Sequence, residues 1–332
     1  MEKIREVVGI DISKLTLDVC LHRNGGSFRT SNDYCGIEDL INRIFSQVEI
    51  PKEEILFVFE HTGLYSSTLI EFLHKEKYLF HVASGLQIKR SLGITRGKED
   101  KADAKRIARY GYRMKEEIEL YDKPSNSLAR LKRLLSLRKK LVGQRAGYIS
   151  TIGEQKRILD SDQEMLLFTS QEQIISTLNE QISLIEKEIE KIIKEDQELY
   201  SQYRLLLSIK GIGGVTAQYL IVQTAGFTAF KTWRKFASYC GIAPFPHQSG
   251  TSIRGKTKVS RLAQKEGKTL LSLCATTAIQ YNPEIKTFYE RRVQMGKNKM
   301  STINIIRNKL LARAFAVIKR GTPYVNTMKF AS

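Results

Sequence analysis

The chain has 332 residues, 42% hydrophobic and 9% aromatic, with 54 Lys+Arg against 35 Asp+Glu and a formal net charge of +19 at pH 7. That length suggests two or three domains with real cores, and the composition excludes a largely disordered basic tail. No apolar run approaches the roughly 20 residues of a membrane span; Leu270 to Ile279 comes nearest and is broken by Ser272, Thr276 and Thr277.

Met1-Glu2-Lys3 leads straight into a strand-like segment rather than a secretion leader. The cysteines (Cys20, Cys35, Cys240, Cys274) form no C-x-x-C pair and no zinc spacing, so they read as buried thiols of a reducing compartment. The expectation is a soluble cytoplasmic protein, with no membrane partner, that meets polyanions. The charge is unevenly spread. Residues 1–122 hold 19 basic and 20 acidic residues, 123–200 hold 13 and 12, and 201–332 hold 22 and 3.

In chain order, Glu6 to Asp11 is a short apolar run ending on a carboxylate, and Thr16 to Leu21 follows. Asn24-Gly25-Gly26 signals a hairpin turn into a third strand at Phe28 to Thr30. Ile55 to Phe59 is a buried strand ending at Glu60, Leu64 to Lys75 has helical periodicity, and Tyr78 to Val82 is another strand. Such alternation predicts an α/β sheet over 1–122 covered on both faces.

Asp11 and Glu60 fall at carboxyl edges of strands, where open α/β folds place ligands. Asp100 and Asp103, in Lys98-Glu-Asp-Lys-Ala-Asp-Ala, share one face or the first turn of a helix. Carboxylates gathered from three elements repel one another unless a cation neutralises them. Hard oxygen donors suit Mg²⁺, with Mn²⁺ as the alternative, for phosphoryl transfer. The plainer reading is that Asp100 and Asp103 cap a helix while Asp11 and Glu60 end strands by chance.

Over 123–200 the pattern becomes all-α. Ile175, Leu178, Ile182, Ile185, Ile189 and Ile192 are spaced 3-4-3-4-3, a coiled-coil seam, and positions 131 to 152 form a similar ladder broken by Arg138 and Arg145. The first arm is basic and the second acidic, which predicts a hairpin with opposite charges side by side. Either a self-contained hairpin or a dimerisation element fits.

The last third, 201–332, reads as helical with glycine-rich interruptions and no strand pattern. Ile209-Lys210-Gly211-Ile212-Gly213 has the helix-hairpin-helix pattern, whose backbone N–H groups bind nucleic-acid phosphate without reading sequence. Phe227, Phe230, Trp233 and Phe236 have helical spacing and read as core. From Cys240 a loop holds Pro244, Pro246, His247, Ser249, Gly250 and Ser252, then Arg254, Lys256 and Lys258, cations suited to phosphate. A serine hydroxyl needs a base, a metal or a dense positive field to act as nucleophile. The loop's chemistry alone therefore favours Ser249 as a phosphate contact, with Ser252 its rival.

Val-Val-Gly-Ile-Asp11, Phe-Glu60-His-Thr-Gly, Asp100-Lys-Ala-Asp103-Ala, Ile-Lys-Gly-Ile-Gly and Gly241-Ile-Ala-Pro…Gln-Ser249-Gly stand in one order across nearly the whole chain. Together they resemble the insertion sequence 110 family of DEDD transposases. The resemblance implies a RuvC-like, RNase H-fold domain, a coiled-coil helical hairpin and a helical C-terminal transposase domain. It implies Mg²⁺ held by Asp11, Glu60, Asp100 and Asp103, and Ser249 as nucleophile, reversing the preference from chemistry alone. It also implies an active site assembled from the RuvC-like and serine-bearing domains across subunits. The implied partners are donor and target DNA, a structured bridge RNA, and further copies of the chain as a dimer or a dimer of dimers on DNA.

Three other readings compete. A Piv-type invertase shares the motifs but flips a resident segment; a hydrolytic RuvC-like junction nuclease makes Ser249 dispensable; a non-enzymatic scaffold leaves the four acids idle.

Overall fold

Strand β1 (Glu6–Ile12) pairs antiparallel with β2 (Thr16–Leu21), and β2 pairs antiparallel with β3 (Ser27–Ser31). On its other edge β1 runs parallel to β4 (Ile55–Glu60), and β4 runs parallel to β5 (Leu79–Ala83). The order is thus β3-β2-β1-β4-β5. The two central parallel strands are nearly continuous apolar runs, EVVGIDI and ILFVFE, as strands covered on both faces require. The computed structural model describes residues 4–91, 100–160, 162–249, 253–260 and 263–325. The chain divides into two compact units, Met1–Lys123 and Pro124–Ser332.

In the first unit, α1 (Tyr34–Gln47) starts where the Asp33 carboxylate accepts the Gly36 N–H at 2.7 Å, a bond that holds this carboxyl below its usual range. Its Ile37, Leu40 and Ile44, with Leu69 and Leu73 of α2 (Ser67–Lys75), bury against Val8, Ile10, Phe57 and Phe59. The opposite face takes α3 (Gly85–Ser91) and α4 (Asp100–Met114), where Ile88, Ile107 and Tyr110 join Val7, Leu56 and Val58. Gly9 lets α4 approach closely: a Cβ there would lie 2.7 Å from the Ala108 Cα and collide with the Ala108 N and Ala104 O. Two alanines facing one glycine bring helix backbone onto strand backbone.

The second unit opens with two long helices, α5 (Asn126–Gln155) and α6 (Met165–Glu195). Contacts of Arg130 with Glu188, Arg138 with Glu186, Arg145 with Asn179 and Lys156 with Glu172 descend α6 as they ascend α5, so the arms are antiparallel. Ile182, Ile189 and Ile192 of α6 are buried, as are Leu131 and Ile152 of α5. The root of the pair, including Leu128 and Ile193, joins one hydrophobic cluster with the helices that follow. These are α7 (Gln197–Leu207), α8 (Gly214–Gln223), α9 (Trp233–Tyr239), α10 (Lys265–Tyr281), α11 (Pro283–Gln294) and α12 (Lys299–Arg320).

The expectation of a purely helical last third needs correction. Between α9 and α10 lies an antiparallel pair, β6 (Pro244–Ser249) and β7 (Ile253–Val259). Neither PFPHQS nor IRGKTKV alternates apolar with polar residues, because most of the described part of the pair (Pro244 to Pro246, Gly255, Thr257) is exposed rather than set over a core, with Val259 half-buried. The whole is a mixed α/β protein. Among the described residues no helix is long and apolar enough to cross a membrane.

Candidate active site

Strand side chains alternate between faces, so Val7, Gly9 and Asp11 share the α4 side of β1, as Leu56, Val58 and Glu60 do on β4. Ile10 pairs with Phe59, and the same parallel register one residue further sets Asp11 beside Glu60. Adjacent strands lie about 4.8 Å apart, so two carboxylates meet at the carboxyl ends of the central strands. On its other side Asp11 stands opposite Asp18, and Asp18 opposite Arg29. A transverse row, Glu60, Asp11, Asp18, Arg29, crosses four strands.

Asp18 is 4% exposed and takes a bidentate pair from Arg29, Nε to Oδ1 and Nη2 to Oδ2, both at 2.9 Å. Sequence reasoning missed this pair, whose signal is a charged residue at an inward position of the apolar run TLDVCL. The row keeps more carboxylates than cations, an arrangement that favours a bound cation.

Helix α4 runs opposite in sense to β1: Gly111 abuts Val7 and Val58, while Ala108 and Ala104 abut Gly9. The next inward residue of β1, Asp11, therefore heads toward the first turn of α4, which Asp100 opens. The Asp100 side chain lies outside the described residues. Asp103 is half-buried and accepts a 2.7 Å ion pair from Arg106 one turn on. Glu60 lies over the start of α3, where a Cβ on Gly85 would fall 2.7 Å from its Cδ and 2.9 Å from Oε2. That cradle has no sequence signal beyond a glycine opening a helix. Among the described residues no group of three or more His, Cys, Asp or Glu is clustered tightly enough to hold a metal unaided.

Ser249 is the last residue of β6, and Gln248 and Ser249 pair with Arg254 and Ile253. Phe245 pairs with Lys258 but His247 with Gly255, so β7 carries one more residue than β6 over that stretch, a bulge that bends the pair. The side chains of His247, Ser249, Arg254, Lys256 and Lys258 lie outside the described residues, as does Ser252 altogether. Lys210, Gly211 and Gly213 occupy the turn between α7 and α8. Gly211, at φ +107°, packs on α10, where a Cβ would meet Cys274 O at 2.9 Å. Lys210 and Gly213 are exposed, and Gly213 caps α8 without a side-chain hydrogen bond.

A model of the IS116/IS110/IS902 transposase family matches residues 203–290, and a second transposase model, of the DEDD type found in IS110 elements, matches residues 8–157. Over 325 residues, 96% of this chain and 97% of the relative, the sequence is 29% identical to the pilin gene-inverting protein of Moraxella bovis. The same identity and coverage hold for the protein of that name from Moraxella lacunata. An uncharacterized 43.6 kDa protein of insertion element IS110 from Streptomyces coelicolor is 32% identical over 124 residues, 37% of this chain and 30% of its own. The sheet with its carboxylate row, together with these likenesses, defines an enzyme acting in DNA recombination. The chain belongs to the IS110 family of transposases. Enzymes of the DEDD type work with a divalent metal ion.

Proposed function

We propose that this chain cuts and rejoins DNA at a site using Asp11, Glu60, Asp100, Asp103 and Ser249, under the direction of a structured bridge RNA. The observation that carries the reading is the pairing of Asp11 and Glu60 on one face of two parallel strands, with the first turn of α4 ahead of them. The order β3-β2-β1-β4-β5 supports an RNase H-like, RuvC-like sheet. The donor set is all hard oxygen, which fits Mg²⁺ or Mn²⁺. Such an ion supplies neutralisation of the carboxylates and of the charge developing on a scissile phosphate.

The residues of the chain do the rest. The Ser249 Oγ forms a bond to the scissile phosphorus as the phosphorus–sugar oxygen bond breaks, and the departing oxygen takes up a proton while the serine loses one. A hydroxyl of the other DNA strand then attacks the phosphoserine, restoring Ser249 and closing the new phosphodiester. Arg254, Lys256 and Lys258, beside Ser249 in sequence, bind flanking phosphates, and Lys210, Gly211 and Gly213 grip the backbone without reading bases. An RNA guide supplies the sequence choice, drawn in by the 22 basic residues against 3 acidic over 201–332.

A second reading, site-specific inversion, is favoured by the near full-length likeness to pilin gene-inverting proteins. Paired substrates, one carrying excisable element ends and one an invertible segment, separate the two. For the shared chemistry, Asp11→Ala, Glu60→Ala and Asp103→Ala should each abolish recombination, and full activity in two of them defeats the metal-site assignment. Ser249→Ala should lose the covalent protein–DNA adduct and keep RNA binding. An adduct surviving that change moves the nucleophile elsewhere.

A further inference from the structure

We infer that Asn304 and Asn308 of α12 are positioning residues that set the direction of the β6–β7 arm, and with it the reach of Ser249. The inference rests on the reading of Ser249 as nucleophile. Both side-chain amides donate to one atom, the carbonyl oxygen of Ile242: Asn304 Nδ2 at 2.9 Å and Asn308 Nδ2 at 3.1 Å. Ile242 is fully buried two residues before β6 begins. Two amides from successive turns of a helix fill both lone pairs of one carbonyl, which fixes that peptide plane about two directions at once.

The donors are themselves oriented. Arg307, 5% exposed and one turn on from Asn304, donates from Nη1 to Asn304 Oδ1 at 3.3 Å, so the nitrogen of that amide faces Ile242. The Asn308 amide also donates to the Asn304 carbonyl at 2.8 Å. Other groups hold the same peptide from behind: the N–H groups of Ile242 and Ala243 both donate to Ala237 O, at 2.9 and 3.1 Å. Gly241 turns the chain at φ +66°, where a Cβ would lie 2.5 Å from that of Ala263. At the return end, Gln264 donates its N–H to Tyr239 O at 2.9 Å and receives the Tyr219 hydroxyl at 3.2 Å.

Among its described residues the arm is mostly exposed. Pro244, Phe245, Pro246, Gly255 and Thr257 are exposed, and the pair is two strands wide. An isolated two-stranded ribbon is marginal in water, so its direction comes from its root. From Pro244 to Ser249 the strand extends about 17 Å, so a rotation of about 3° at the root moves Ser249 by about 1 Å, a displacement worth roughly a hundredfold in rate. Each asparagine places a polar amide against a buried backbone group, on a helix that also buries Ile306, Leu310 and Leu311.

The test is single-turnover formation of the covalent adduct by the full-length protein with its copurified RNA and cognate DNA, alongside nucleic-acid affinity and melting temperature. Each single change, Asn304→Ala or Asn308→Ala, leaves one bond to Ile242 O and should slow the adduct by about 5-fold or less. The double variant should slow it by roughly 100-fold, with nucleic-acid affinity within about 2-fold of wild type. The isosteric Asn304→Asp/Asn308→Asp pair keeps shape but removes both donors, and should reproduce the loss if the alanine protein folds poorly. Wild-type adduct formation in either double variant, while Ser249→Ala abolishes it, overturns the inference alone. So does a loss matched by an equal loss of affinity, the mark of a merely structural role. An adduct that survives Ser249→Ala overturns the underlying reading.

Discussion

A methyl group at Gly9 would force β1 and α4 apart, since the atoms it meets are helix backbone and cannot rotate away. Gly9→Ala should therefore cost about 1–3 kcal/mol in thermal or urea unfolding, and should reduce recombination further than that loss explains, because α4 carries Asp100 and Asp103. Asp18→Asn breaks the bidentate pair with Arg29 and should lower stability by about 1–3 kcal/mol. His81 adds a pH dependence. Burial lowers its pKa against the opposing bond of Nδ1 with the Glu119 carbonyl at 2.8 Å. The native state thus binds its proton less readily than the unfolded chain, whose imidazole titrates near 6.5. Stability from this site is present above that value and is lost as pH falls below it. Melting temperatures from pH 8 to pH 5 should decline, and His81→Asn should flatten part of that decline.

At the scale of elements, the strands of the first unit lie where the apolar runs predict them. A buried parallel strand such as ILFVF can be read from composition because both of its faces need apolar side chains. The row that joins Glu60, Asp11, Asp18 and Arg29 was not legible, because register depends on partners distant in sequence. The β6–β7 pair was hidden for the opposite reason: no core imposes an alternation on exposed strands. The helical pair carries its own prediction. Near its turn, Ile158 is 84% exposed, Met165 62% and Leu166 81%, an apolar tip that we propose a second copy of the chain covers. Ile158→Glu combined with Leu166→Glu should reduce the assembly to a monomer by light scattering without lowering helix content. An unchanged mass would assign oligomerisation to another surface.

For the whole molecule, charge separates along the chain as the chemistry does. The near-neutral first unit carries the carboxylate row, and residues 201–332 hold nearly all of the +19 excess. Neutralising Arg254, Lys256 and Lys258 together should reduce the slope of log affinity against log salt by about 2–3 for duplex DNA. A slope unchanged within error would remove those cations from the phosphate contacts. In the proposed reaction Ser249 becomes covalently joined to DNA in a step requiring the carboxylates and a divalent ion. That step is tested most directly by incubating the RNA-loaded protein with cognate DNA and Mg²⁺, digesting both polymers, and locating the nucleotide-bearing peptide by mass spectrometry. One modified peptide is expected, with the adduct on Ser249, absent with a chelator and absent in Glu60→Ala. DNA cut under the same conditions with every serine unmodified would contradict it.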